Sequence, residues 1–295
     1  MNDGPEGGPQ RPPRSARAAP ALAAASTTPT TPIGSPAPVA PTGAAAAARG
    51  AWRLARALIH GLHGLLVVLL LFPHLAQPAR EQRIRWWSAK MFRMLGMQLE
   101  VSGTFRPGAK LVVANHISWL DILAVHAACP EARFVSKAEV RHWPLVSRLV
   151  DAARTLYLQR ERARDALRVV HEMAAALRSG DTVAVFPEGT TGSGRELLPF
   201  HANLLQAAIS TATPVQPVAL HFADADGAVS TAADFTGDIT LEQSLWALAR
   251  ARGMVVRVQV LTAEVTAHAD RRALAEHLRT VIGEALETLR RVGAS

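Results

Sequence analysis

Leu111-Val112-Val113-Ala114-Asn115-His116-Ile117-Ser118-Trp119-Leu120-Asp121 is a buried-strand run that breaks into a polar turn and leads into a helical pattern near 119–128. The same change of pattern recurs along the chain. Short runs of strand character lie at Gln98 to Val101, Arg133 to Val135, Thr155 to Leu158, Thr182 to Phe186, Val215 to Leu220 and Val255 to Leu261. Helical patterns lie near 162–178, 202–211, 241–252 and 270–291. This alternation predicts an α/β fold, a largely parallel or mixed sheet covered by helices, with ligands bound outside the strand carboxyl ends. Chemistry is therefore sought in the loops that follow strands, and two of them stand out.

The first holds His116 and Asp121, five positions apart. In a continuous α-helix a five-residue step turns by roughly 500°, which leaves the two side chains well apart on the cylinder. A turn entering a helix removes that obstacle. With Ser118 as N-cap, Asp121 falls in the first helical turn while His116 stays on the loop. The imidazole then meets the carboxylate and keeps its other nitrogen for general-base work. On spacing alone, Ser118 and Asp121 are also readable as an ordinary capping pair, with His116 a satisfied loop residue. A second pair at the same spacing, His221 and Asp226, lies in a turn cluster with Asp224 and Gly227, where no helix clearly starts.

The second loop is Pro187-Glu188-Gly189-Thr190-Thr191-Gly192-Ser193-Gly194-Arg195, directly after the strand pattern Thr182 to Phe186. Glycines and hydroxyls after a strand make an amide-rich cup suited to phosphate or hydroxyl recognition. A plain surface turn has the same composition, and the Lys-Ser or Lys-Thr that ends a P-loop is missing.

The two loops in this order resemble the bacterial 1-acylglycerol-3-phosphate (lysophosphatidic acid) acyltransferase family of glycerolipid synthesis. Three further blocks are similar to that family: Phe134-Val135-Ser136-Lys137-Ala138-Glu139-Val140 ending near Pro144, Leu156-Tyr157-Leu158-Gln159-Arg160, and the proline-centred strand Val215-Gln216-Pro217-Val218-Ala219-Leu220. The resemblance covers roughly residues 86–262, and motifs in a fixed order are far more specific than any one alone. It implies that His116 is the catalytic base and Asp121 its partner, that Lys137 and Arg160 contact the acceptor's phosphate, and that Glu188, Gly189 and Thr190 serve the substrate. The implied reaction moves a fatty acyl group from acyl-CoA or acyl carrier protein to the sn-2 hydroxyl of a lysophospholipid acceptor, without a cofactor. Arg154, Gln159 and Thr191 depart from the family's usual residues around the acceptor pocket. Lyso-ornithine lipid is the alternative acceptor, and a non-catalytic membrane lipid-binding protein is the alternative of another class.

The rest of the 295 residues divides by composition. Residues 1–50 hold 10 of the 19 prolines and no aromatic residue, which predicts a disordered tail. Within it, five alanines at Ala44 to Ala48 are too few to nucleate a helix alone. Residues 51–95 form a membrane-associated segment, with an apolar run at 58–72 and a basic amphipathic helix at 80–95 that carries Trp86 and Trp87. The run is short for a full span and is interrupted by His60, Gly61, His63 and Gly64, so spanning, re-entrant and buried-core readings stay open. Residues 96–295 are the acyltransferase domain.

A formal charge of +8 asks for an anionic partner. Its bases concentrate beside the apolar segment, which selects an anionic membrane over nucleic acid and, by the positive-inside tendency, places the catalytic domain on the cytoplasmic face of the inner membrane. The single Cys129 excludes a disulfide framework, and the chain has neither the Gly-x-Ser-x-Gly of a serine hydrolase nor the second histidine that His171-Glu172 would need for zinc.

Overall fold

The computed structural model describes residues 43–137, 146–158 and 163–293. Arg160 and most of the N-terminal tail lie outside the described residues. Seven strands, β1 (Gln98–Ser102), β2 (Lys110–Ala114), β3 (Ala132–Lys137), β4 (Leu156–Leu158), β5 (Thr182–Val185), β6 (Val215–Ala223) and β7 (Val255–Val260), form one sheet in the order β1-β7-β6-β2-β5-β3-β4. Every neighbouring pair is parallel except β6 with β7. β2 to β6 therefore point their carboxyl ends to one edge, and β7 and β1 run the other way. All seven strands fall where the sequence pattern puts them.

The helices are α1 (Gly43–Leu70), α2 (Gln77–Leu95), α3 (Leu120–Ala128), α4 (Val146–Ala152), α5 (Ala163–Arg178), α6 (Gln206–Ser210), α7 (Leu241–Arg250) and α8 (Arg271–Gly293). They cover both faces of the sheet. Because side chains alternate along a strand, Val112, Ala114, Ala184, Val218 and Leu220 pack on one face with Phe92 and Leu95 of α2 and Leu120 of α3. Leu111, Val113, Val183, Val185 and Ala219 pack on the other with Met173 of α5 and Leu278, Ile282 and Leu286 of α8. Strands buried on both faces are the reason these segments read as continuous apolar runs. Helix α4 has no counterpart in the sequence-based expectation.

One expectation about the N-terminal part is corrected. The alanine run does not stay coil: α1 begins at Gly43. Nucleation is a penalty met once per helix, so the alanines extend a helix already nucleated over the apolar segment. The 51–95 helices pack within one compact unit of residues 41–295. The Arg53 guanidinium donates to the Ala249 carbonyl at 3.3 Å, next to the end of α7. His60 and Gly64, which interrupt the apolar run, are the contact with α2. The Trp87 indole N–H donates to the His60 carbonyl and the His60 ring meets the Trp87 carbonyl, each at 3.0 Å. A Cβ on Gly64 would lie 2.3 Å from Trp87 Nε1, so the indole fits only over glycine.

The opposite side of α1 is bare. Leu58, Ile59, Leu62, Leu66, Leu69 and Leu70 recur every three or four residues and are exposed, Leu58 and Ile59 by 68% and 69%. Among the described residues α1 is the one helix long and apolar enough to cross a membrane.

Within the core, His126 of α3 is buried against the Ala132 carbonyl at 3.0 Å, and burial pushes its pKa down to about 4. An unfolded chain takes up that proton near the ordinary value of 6.5, so the native state loses stability as pH falls from about 6.5 to about 4, by up to ~3 kcal/mol for this one group. Thermal denaturation across this range should show that loss. His126→Gln, which keeps a donor for the carbonyl but does not titrate, should flatten the profile.

Candidate active site

At the carboxyl end of β2 the chain turns through Asn115 to Trp119 before α3 starts. Trp119, not Ser118, is the residue that caps α3, and no side chain caps it in the usual way. The carboxylate of Asp121 reaches backward instead. Its Oδ2 accepts from the backbone N–H groups of Ile117 at 2.6 Å and Ser118 at 2.8 Å, and from His116 Nδ1 at 2.8 Å. Asp121 is fully buried, whereas the His116 side chain keeps 19% exposure. The five-residue spacing thus closes into a ring, and the capping reading and the pair reading merge: the carboxylate that ties up the turn also holds the imidazole.

The loop after β5 fixes the other side of the histidine. Glu188, 5% exposed, accepts the His116 N–H on Oε1 at 2.7 Å and the Leu198 N–H on Oε2 at 2.9 Å. Burial pushes its carboxyl above the usual value, and the two amides pull the other way. Gly192 N–H donates to the His116 carbonyl at 2.7 Å, so both backbone polar groups of His116 are held from the Gly-rich loop. The Phe186 ring lies parallel to the imidazole with centroids 4.1 Å apart and 6° between planes, and it stacks in turn on Phe134.

This geometry gives the second loop a structural role as well. The resemblance implies that Glu188 and Gly189 serve the substrate. Each Glu188 oxygen accepts a backbone amide, so the carboxylate also holds the His116 turn against the Gly-rich loop. The Gly189 N–H closes a turn onto the Phe186 carbonyl at 3.1 Å. Gly189 is nonetheless required as glycine: its φ is +71°, and a Cβ would come within 3.0 Å of the His201 ring. Thr190 is exposed. The backbone of Lys137 ends β3, paired with Leu158 at the end of β4. Its strand ends on the same sheet edge as β2 and β5; its side chain, like Arg160, lies outside the described residues. The alternative pair does not form: Asp226 accepts from its own turn at Ala228, and His221 is buried in β6.

Three residues near the site had no functional signal in the sequence reading beyond their place in the motif. The Asn115 side chain donates to the Leu220 carbonyl at 2.9 Å and accepts the Leu220 N–H at 2.7 Å, extending the β2–β6 ladder by one residue with a side-chain amide. The Trp119 indole donates to Ser244 Oγ of α7 at 3.1 Å. Phe186 supplies the stacking face. Asn before the histidine was the available clue, since only Asn or Gln can imitate both halves of a peptide unit.

Comparison with known proteins identifies the family. Residues 98–221 match the family described as Acyltransferase, a span containing both loops. The chain is 36% identical over 209 residues to a lyso-ornithine lipid O-acyltransferase of Pseudomonas aeruginosa, covering 71% of this chain and 80% of that one. It is 34% identical over 195 residues to a 1-acyl-sn-glycerol-3-phosphate acyltransferase of Neisseria meningitidis, covering 64% and 76%. The crystal structure of a 1-acyl-sn-glycerophosphate acyltransferase from Thermotoga maritima superposes with a TM-score of 0.60 at 22% identity over 81% of this chain and 98% of that one, a likeness of fold. The histidine–aspartate ring at the end of β2, clamped from the loop after β5, lies inside the matched region, and the chain belongs to the acyltransferase family.

Proposed function

We propose that the protein transfers a fatty acyl group from an acyl thioester, on coenzyme A or acyl carrier protein, to the sn-2 hydroxyl of 1-acylglycerol-3-phosphate, giving phosphatidic acid. The observation that carries this reading is the 2.8 Å contact of His116 Nδ1 with buried Asp121, which leaves Nε2 without a protein partner among the described residues. The thioester is already activated, so the reaction needs a base and alignment but no protein nucleophile. Nε2 removes the hydroxyl proton as the oxygen attacks the thioester carbonyl. Collapse of the tetrahedral intermediate expels the thiolate, which takes the proton back from the imidazolium. Asp121 fixes the tautomer and stabilises that imidazolium, as the aspartate does in Ser-His-Asp triads. Lys137 and Arg160 are proposed to bind the acceptor's phosphate, one as a point charge and the other as a bidentate fork.

Acylation of lyso-ornithine lipid is the second reading, favoured by the Pseudomonas relative. Both acceptors present a hydroxyl to the same base, so His116 and Asp121 do not separate them. Turnover of the purified protein on the two lysolipids side by side does.

Membrane association is supported by the exposed leucine stripe of α1 and by Trp86, 41% exposed, with Lys90 over its ring at 4.6 Å. An anionic membrane suits the bases of α2, and their position after the apolar helix supports a cytoplasmic-facing catalytic unit at the inner membrane. Leu62→Glu with Leu66→Glu should abolish co-flotation with anionic vesicles while leaving turnover on detergent-dispersed substrate within a few-fold. Undiminished flotation would remove α1 from the membrane contact.

His116→Ala should lower kcat by about 10²–10⁴ with substrate binding retained, the usual loss when a general base is removed. Near-wild-type turnover would overturn the assignment. Glu188→Gln sets an amide N–H against one of the two backbone N–H donors. It should lower kcat by at least ~10-fold, with acceptor KM changing less than ~3-fold, because a shifted loop misaligns the base rather than the acceptor contacts. A rise in acceptor KM alone would return Glu188 to the substrate.

A further inference from the structure

On the sheet face covered by α8, several buried nitrogen donors lie together without hydrogen-bond partners among the described residues. His221 of β6 and Arg257 of β7 are direct partners in the antiparallel register, so both project from one face. It is the α8 face, since Ala219, two residues before His221, packs with Leu278, Ile282 and Leu286. Arg290 continues that α8 stripe by one turn. Its Nη2 donates to the carbonyls of Gly194 and Arg195 at 2.8 Å each, tying α8 to the Gly-rich loop.

Among the described residues His221 is fully buried with neither ring nitrogen hydrogen-bonded, Arg257 Nη1 and Arg290 Nε are buried without a partner, and Gln259 Oε1, the register partner of Ala219 on this face, is a buried acceptor also left unpaired. The Glu100 carboxylate of β1 is engaged by Arg257 Nε at 2.9 Å. Burial and the charges of Arg290 and Arg257 push the His221 pKa down to about 4, so the ring is neutral and offers one N–H. Buried donors without acceptors are destabilising, and native structures rarely leave several side by side. Two guanidinium groups repel a metal ion and select an anion. The Arg257 side chain, 17% exposed, opens the group to solvent on the β7 side. Leu220, adjacent to His221, is the residue gripped by Asn115, so the group lies immediately behind the catalytic loop.

We propose that His221, Arg257 and Arg290 form an anion subsite that takes a phosphate group at the strand end behind the catalytic loop. Arg257 Nη1, Arg290 Nε and one His221 N–H supply charge-assisted and neutral donors to separate phosphate oxygens. Both substrates of the proposed reaction carry such a group, the acceptor as a phosphomonoester and the thioester donor on its phosphopantetheine arm. The source of the phosphate rests on the acyl-transfer reading; the subsite itself does not.

The test is calorimetric titration of the full-length, detergent-solubilised protein with inorganic phosphate at constant ionic strength. It is run in an Arg160→Ala background, which removes one of the phosphate contacts proposed above. Saturable binding is expected, weakened at least tenfold by Arg257→Met and by His221→Leu and unchanged by Arg271→Met on the exposed start of α8. Arg257→Lys, which keeps the charge and loses the fork, should fall between and carries the comparison if His221→Leu does not fold. Absence of saturable binding, or equal affinity in folded Arg257→Met and the parent, overturns the subsite. With Arg160 restored, a raised KM for lysophosphatidic acid in Arg257→Met assigns the phosphate to the acceptor, and a raised KM for acyl-CoA assigns it to the donor. Variant-sensitive phosphate binding in a protein that acylates no lysolipid would refute the acyl-transfer reading and leave the subsite standing.

Discussion

One carboxylate oxygen, Asp121 Oδ2, accepts the N–H groups of Ile117 and Ser118 and the Nδ1–H of His116. Buried carboxylates are tolerable when hydrogen-bonded on this scale, and hydrogen bonds to a charged acceptor are about twice as strong as neutral ones. The contact also sets geometry. It bends the chain between β2 and α3 so that residues which a helix would separate come within 2.8 Å. Everything else at the site maintains that bend: Glu188 and Gly192 hold the two backbone groups of His116, Phe186 lies flat against its ring, and Asn115 anchors the start of the turn to β6.

The sheet supplies the convergence. β2, β3, β4, β5 and β6 end on one edge, so loops distant in sequence meet there without long connections. Helix α8 runs toward the same edge and closes on the Gly-rich loop through Arg290, while α7 reaches the His116 turn through Ser244 and Trp119. Since α7 also meets Arg53 of α1, the helix with the exposed leucine stripe is tied by two contacts to the residues beside His116. A membrane-docked α1 would present the site at a fixed height above the lipid surface.

The strands were legible because those buried on both faces must be apolar throughout and are bounded by Gly, Pro and charge. The His116–Asp121 pair was legible only together with the other motifs, since spacing alone admitted a capping role, and the carboxylate in fact serves both. The positioning role of Glu188 was missed for a physical reason. A conspicuous carboxylate in a polar loop reads as ligand-facing, and nothing in sequence reveals that its oxygens meet the amides of His116 and Leu198, 72 and 10 positions away. The start of α1 escaped because nucleation was charged to the alanine run by itself. His221 was set aside with Asp226 as a weak pair, and its neighbours Arg257 and Arg290 come from β7 and α8, which only the register and the helix packing bring together.

The central claim is that Asp121 holds the His116 imidazole with its proton on Nδ1, leaving Nε2 to accept the substrate's hydroxyl proton. Nitrogen-15 NMR of the histidine-labelled protein reads this directly, with the His116 signals identified by their loss in His116→Ala. The neutral ring is expected to be the Nδ1–H tautomer, with Nε2 unprotonated, and Asp121→Asn is expected to shift the population toward Nε2–H. A neutral His116 carrying its proton on Nε2 in the wild-type protein would contradict this assignment.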